Sequence, residues 1–280
     1  MRRRMPPAVR VVWLVLLTGV TVVFLYPFVW LVSASLKPRS QVFDNRLLPQ
    51  DVAWENYAKV WDAAPVLQWL ENSVVVGLAA AAAVTISSAV VAFGFAYFRF
   101  PGRNALFALL LATMMLPGAV TMVPVFLLWD ALGLVGTHVP LWAHNLFGSA
   151  FYIFLLRQFY LSLPRELFEA ATLDGAGYLR LFRSIALPLS VPALVIVFVF
   201  ELRASWTDLV RPLIYLRDTE LFTIPRGLKA LLDQFGQSGE SQWEVIMAAS
   251  VITTLPMILL FVLGQRYFVE GIQTTGRANS

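Results

Sequence analysis

Residues 166–189 read ELFEAATLDGAGYLRLFRSIALPL, a charged island rich in Ala and Gly between long apolar stretches. The surrounding chain has 280 residues, of which 59% are hydrophobic and only 14% charged. Its mean hydropathy is +0.71. A soluble domain of this length cannot hide so much apolar surface, because its exterior must be hydrated. The island therefore interrupts a polytopic, all-α membrane protein, and its side of the membrane and its local structure decide the reading.

Residues 11–32 carry no charge and are long enough to cross about 30 Å of hydrocarbon. Further spans are expected at 73–98, 105–129, 139–160, about 188–215 and 245–265, which makes six transmembrane helices. The leading MRRR and the small residues 33–35 also fit a cleaved signal peptide. The length of the apolar run and the membranous remainder favour an uncleaved first helix. With six spans, one side holds twelve arginines against four acids, and the other holds eight basic residues against twelve acids. The positive-inside rule places both termini and residues 166–189 in the cytoplasm. The same rule accounts for the net charge of +4 without nucleic acid. The absence of cysteine removes disulfides and thiolate metal sites but does not identify the compartment.

Short helices are expected on either side of Asp174-Gly175-Ala176-Gly177. Pro164 suits a first turn, where a missing N–H costs nothing. Glu166 and Glu169 suit the positive end of the helix dipole, and glycine is available for a left-handed cap. The second helix is expected over 178–186, with Leu179, Phe182 and Ile185 on one face and Leu187-Pro188 ending it where the next span begins. Ala170, Ala171 and Gly175 offer a surface that another backbone can approach closely; a solvated hairpin is the alternative. In the spans, Met115-Leu-Pro-Gly118 and Pro124, and then Pro188 and Pro192, are expected to kink their helices, either for packing or around a pathway.

Ionisable groups inside a span are costly and mark functional candidates. Glu201 and Arg203 fall near the middle of the fifth span on different faces, and Glu201 aligns with Ser205 and Asp208. Carboxylates for sugar hydroxyls and the face of Trp206 for stacking would make a substrate pathway. Alternatively, Glu201 and Arg203 pair with another subunit and Trp206 is an interfacial anchor. His138 and His144 are six apart with no zincin-type Glu, so a metal site is not expected. No G-x-x-x-x-G-K-[ST] occurs, so nucleotide binding and any other cofactor are not expected in this chain.

The island also reads E-A-A-x3-G-x9-I-x-L-P through Glu169, Ala170, Ala171, Gly175, Ile185, Leu187 and Pro188. Seven fixed positions would coincide by chance at roughly one starting point in 10^8. This resembles the EAA signature of permease subunits in binding-protein-dependent ABC importers. SLKP at 35–38, FRFPGR at 98–103, MLPGAVTMVPVF at 115–126, SWTDLVRPL at 205–213 and QRYFVEGI at 265–272 extend the resemblance to the smaller, six-helix permease of maltose-type sugar systems.

That resemblance implies a type I (MetI-like) importer fold. Residues 1–72 would form a cytoplasmic segment, first helix and external loop, 73–265 the transporter domain with its coupling loop at 161–187, and 266–280 a cytoplasmic tail. Glu169, Ala170, Ala171, Asp174, Gly175, Ile185, Leu187 and Pro188 would form or hold the coupling helix that docks on an ATPase, Glu169 through a polar contact. Phe235, Gly236, Gln237, Ser238, Gly239 and Glu240 would touch an external solute-binding protein; as bare sequence they are a solvated linker. The implied partners are a second homologous permease, two ATPase subunits carrying ATP and Mg, the binding protein, the plasma-membrane bilayer of a bacterium or archaeon, and a carbohydrate. Two departures from the pattern are the F-E-L-R-A-S-W-T-D of the fifth helix and the IQTTGRANS tail. The competing class is an ion-coupled secondary carrier with Glu201 and Arg203 as its relay; no inverted repeat supports it.

Overall fold

Inside hydrocarbon a backbone has no water to satisfy it, and an α-helix satisfies itself. The apolar runs accordingly become helices, and helices are the only regular structure among the described residues. The structure, a computed structural model, describes residues 6–236 and 241–277. In chain order the helices are α1 (Pro7–Ser35), α2 (Glu55–Ala63), α3 (Val66–Tyr97), α4 (Arg103–Thr113), α5 (Gly118–Ala131), α6 (Val139–Trp142), α7 (Ala150–Leu161) and α8 (Arg165–Leu173). They continue as α9 (Tyr178–Leu181), α10 (Leu187–Leu189), α11 (Val191–Thr207), α12 (Val210–Tyr215), α13 (Ile224–Phe235) and α14 (Trp243–Arg277).

Four stretches are long and apolar enough to cross a membrane: Val9–Ser35, Val66–Tyr97, Val139–Leu161 and Trp243–Val262. Two bent pairs bring the number to six. The expected third span is not one kinked helix. It breaks between α4 and α5, whose axes differ by 96°. Pro117 sits at the break as the N-cap of α5, whereas Pro124 lies within α5 without interrupting it. The expected fifth span bends by 75° at Ser190 and its main helix ends at Thr207, with α12 following as a separate turn.

The chain forms two units, Met1–Val66 with Leu228–Leu255, and Leu67–Gly227 with Pro256–Ser280. In the first, SLKP closes the end of α1. Asn56 Nδ2 donates to the Ser35 and Lys37 carbonyls at 3.0 and 2.9 Å. The Ser35 and Tyr57 hydroxyls are 2.8 Å apart. Lys37 is wholly buried, and its ammonium donates to Asp44 Oδ1 at 2.5 Å and to the Arg46 carbonyl at 2.6 Å. A buried cation without such partners would cost several kcal/mol. In return, the Lys37 ammonium holds the Asp44 carboxyl below its ordinary range.

The second unit packs α3, α7 and α11 around Val84, Ala92, Leu156 and Val197, all wholly buried. Small residues permit close approach: a Cβ on Gly77 would lie 2.7 Å from Leu202 Cδ1. At the start of α13, a Cβ on Gly227 would lie 2.1 Å from the Trp69 ring, whose indole N–H donates to the Thr219 carbonyl at 2.8 Å.

Candidate functional site

The Ala- and Gly-rich island forms a helical hairpin. Pro164 is the N-cap of α8, and Glu166 sits in its first turn. The helix ends in a Schellman motif: Gly175 N–H donates to the Thr172 carbonyl at 3.0 Å and Ala176 N–H to the Ala171 carbonyl at 2.9 Å. Gly175 has φ +81°, the left-handed conformation that side chains resist. A Cβ there would meet nothing within 4 Å, so turn geometry, not local crowding, requires the glycine.

Glu169, Ala170, Asp174 and Gly175 are all exposed. Ala171, Ile185 and Leu187 instead pack partly buried against the chain's own core, and Pro188 is exposed at the root of the hairpin. Two side chains outside the signature join this surface. Leu173, at the last turn of α8, is 90% exposed, and Leu167 is 45% exposed. The hairpin thus presents bulky apolar groups among its small ones. Spacing alone could not separate Leu173 from a core leucine.

The expected second helix does not stop at Leu187-Pro188. It continues from α9 through a π-turn at Phe182–Ala186 into α10, and the break falls at Ser190. Proline lacks an N–H and crowds the carbonyl four residues back; a wider turn just before Pro188 relieves both problems. The π-turn also changes the helical phase. Leu181 and Ala186 are buried, while Leu179, expected on one face with Phe182 and Ile185, is 62% exposed.

Aromatic rings bind this hairpin to α3. Phe93 lies 6.4 Å from Phe168 of α8, 5.2 Å from Phe182 of the π-turn and 5.9 Å from Tyr160 of α7. Tyr178 meets Phe98 edge-on at 5.0 Å. Such pairs contribute about 0.5–1.5 kcal/mol each beyond their burial.

The candidate pathway residues are distributed differently from expectation. Glu201 is buried, and Asn145 Nδ2 donates to its Oε1 at 2.7 Å and to the Ala80 carbonyl at 3.3 Å. Arg203 lies on another face, exposed, and lines a cavity of about 510 Å³ with Tyr152, Phe200, Ala204 and Met257. The two cannot form one relay. Ser205 is half-buried near Gly77, and Trp206 is buried. Asp208 does not continue the Glu201 face, because the helix ends before it and its backbone is extended. Its Oδ1 accepts the Val210 and Arg211 N–H groups, and Arg211 Nε donates to its Oδ2 at 2.5 Å.

Arg211 also donates from Nη1 to His144 Nε2 at 2.5 Å, and His144 Nδ1–H donates to the Pro140 carbonyl at 3.3 Å. Arg211 and His144, with Asp208 behind them, line a cavity of about 640 Å³ that also takes in Thr121, Trp129 and Tyr215. That volume is within the range of small-molecule sites. Arg211 escaped the sequence reading, and His144 was weighed there only as a metal ligand, because the two meet only when α12 folds against α6 and the turn that follows it. His138 Nε2 is bonded to the Leu221 carbonyl at 2.8 Å. No group of three metal-ligating side chains occurs among the described residues. Of the expected outer docking loop, Phe235 and Gly236 are half-buried, while residues 237–240 lie outside the described residues.

Broken spans, a tethered hairpin on a basic loop and a polar-edged cavity define a polytopic transport permease. The chain belongs to the family described as binding-protein-dependent transport system inner membrane component, whose profile matches residues 84–274. It is 32% identical over 261 residues to the arabinooligosaccharides transport system permease protein AraQ of Bacillus subtilis, covering 91% of each chain. It is 34% identical to the sn-glycerol-3-phosphate transport system permease protein UgpE of Yersinia pestis, covering 92% of this chain and 94% of that one. Its fold matches a chain of a bacterial ABC transporter involved in the import of the acidic polysaccharide alginate, with a TM-score of 0.82, 24% identity, and coverage of 95% and 99%. Membership in this family removes the ion-coupled carrier reading.

Proposed function

We propose that this chain is one of two permeases in an ABC importer that brings a carbohydrate or a related polyol ester into the cytoplasm of a bacterium or archaeon. The observation that carries this reading is α8. Its exposed face of Glu169, Ala170, Leu173 and Asp174 is held by a left-handed cap and anchored through Phe168 to Phe93 of α3. In the proposal, this face docks on an ATPase subunit, which binds ATP and Mg, and both chain termini lie on the same side. ATP-driven closure of the two ATPases moves the hairpin, and the aromatic cluster passes the movement to α3. The break at Ser190 and the bend between α4 and α5 absorb the rocking of the spans.

The solute is released by an external binding protein that contacts the segment around 235–243, and passes between this chain and its partner permease. The cavity edged by Thr121, Trp129, His144 and Arg211 is this chain's side of the route, offering donors for hydroxyls and an aromatic face. The substrates named for AraQ and UgpE support a glycoside or glycerol phosphate ester. Glu169→Lys and Gly175→Asp test the coupling in proteoliposomes containing the assembled importer. Both are expected to leave the chain in the membrane and to abolish uptake while ATP hydrolysis loses its dependence on solute. Normal uptake in both variants would refute the assignment.

A further inference from the structure

At the arginine-rich end of the second unit, two cavities of about 290 and 360 Å³ share Arg99 and Arg103. The first is also lined by Arg165, Tyr97, Tyr160 and Glu169. The second includes Gly102, Asn104 and Ala105 at the start of α4. Among the described residues, none of these three arginines forms an ion pair, although Glu169 shares a wall with them. The Arg103 side chain makes a single hydrogen bond among the described residues, from Nη1 to the Phe98 carbonyl at 3.2 Å. A further arginine, Arg157, lies over the Phe107 ring at 4.2 Å and adds to the positive field beside Arg103.

The start of α4 also favours an anion here. No side chain caps the eleven-residue α4, so its positive end opens into the second cavity. Immediately along α4, Leu106 and Leu109 are 51% and 65% exposed. A free phosphate would use the charges and leave this apolar flank unused, whereas a lipid uses both.

We propose that Arg99, Arg103 and Arg165 bind the phosphodiester of an anionic membrane phospholipid, with its acyl chains lying along Leu106 and Leu109 of α4. Three guanidiniums against one carboxylate favour a headgroup with net negative charge over a zwitterionic one. The site adjoins α8 through Arg165 and Glu169, so headgroup occupancy sets the electrostatic surroundings of the hairpin without touching the membrane cavity.

The test is native mass spectrometry of the full chain, with the subunits that copurify with it, in neutral detergent with phosphatidylglycerol or phosphatidylcholine added. Phosphatidylglycerol is expected to be retained preferentially. Arg99→Gln with Arg103→Gln is expected to weaken retention about 25-fold, taking about fivefold for each basic residue at an anionic surface. A charge-matched control, Arg10→Gln with Arg183→Gln, leaves retention unchanged, and lysine at 99 and 103 recovers most of the loss. If the glutamine pair does not assemble, Asn104→Glu, at an exposed position on the second cavity, is expected to lower retention about fivefold by adding a carboxylate. Equal retention of the two lipids, equal losses in the pair and its control, or unchanged retention in the Asn104→Glu chain would overturn the proposal. Displacement of phosphatidylglycerol by excess inorganic phosphate would also overturn it, assigning the site to a soluble anion. Loss of the lipid on adding purified ATPase subunits would overturn it too, in favour of a protein carboxylate.

Discussion

The contact between Asn145 and Glu201 separates a structural carboxylate from a transporting one. Asn145→Ala removes the 2.7 Å hydrogen bond to Glu201 Oε1 and the 3.3 Å bond to the Ala80 carbonyl. Glu201 is only 7% exposed, so water cannot freely replace the lost donor. An unsatisfied buried acceptor costs about 1–3 kcal/mol. Interhelical hydrogen bonds in membranes average about 0.6 kcal/mol and reach about 1.7. The expected loss for Asn145→Ala is therefore about 1–2 kcal/mol. Glu201→Gln keeps an acceptor oxygen at the same place and is expected to cost less than about 0.5 kcal/mol. In the cycle formed with Glu201→Ala, the coupling energy is expected near 1 kcal/mol, well above the roughly 0.3–0.5 kcal/mol additivity error of independent sites. Equilibrium unfolding in mixed micelles gives the stabilities, and solute uptake is measured on the same variants in proteoliposomes. Additive single losses would refute the pairing. A Glu201→Gln chain that is fully stable but does not transport would refute the structural role and return Glu201 to the pathway.

Three further outcomes follow from other sites. Leu173→Asp changes a side chain that is 90% exposed, so stability should shift by less than about 0.5 kcal/mol while solute-stimulated ATP hydrolysis falls severalfold; unchanged stimulation would remove Leu173 from the docking face. Gly227→Ala forces a methyl to 2.1 Å from Trp69, and is expected to destabilise by about 1–3 kcal/mol or more, with partial recovery when Trp69 is replaced by Leu; a neutral result would contradict the packing. Asp44 has its folded-state pKa lowered from 3.8, chiefly by the Lys37 hydrogen bond, so its contribution is present above about pH 4 and is lost as pH falls through the lower folded value. Wild type should then exceed Asp44→Asn in stability at neutral pH and converge with it in acid, and a difference independent of pH would exclude the ion pair.

Much of this architecture is legible in apolar runs and in local chemistry. The first, second and last spans lie where uncharged stretches demand them, and Asp174-Gly175 marks the Schellman turn because few other residues tolerate that backbone. What could not be read depends on distance in sequence or on phase. Glu201 meets Asn145 across 56 positions, and Arg211 meets His144 across 67. No helical wheel brings those together, so Asp208 looked like an extension of the Glu201 face. The π-turn has no residue signature of its own, so the face drawn through Leu179, Phe182 and Ile185 does not match the buried pair Leu181 and Ala186. The helices within the outer segments, α2 and α13, are short, and no long apolar run announces them.

The π-turn at Phe182–Ala186 has a consequence for how this segment can vary. One residue advances an α-helix by about 100° around its axis. Deleting a single residue between 182 and 186 would restore an ordinary helical repeat, and by mass it would be among the smallest changes possible here. Because the π-turn spends its extra residue within one wide turn, everything before it, including Tyr178 and Leu181, would keep nearly the same facing relative to α11. The same deletion within α11 has no wide turn to absorb it and would rotate everything before it by that angle. This stretch should therefore tolerate the loss of one residue at the π-turn and reject it in the regular helix that follows.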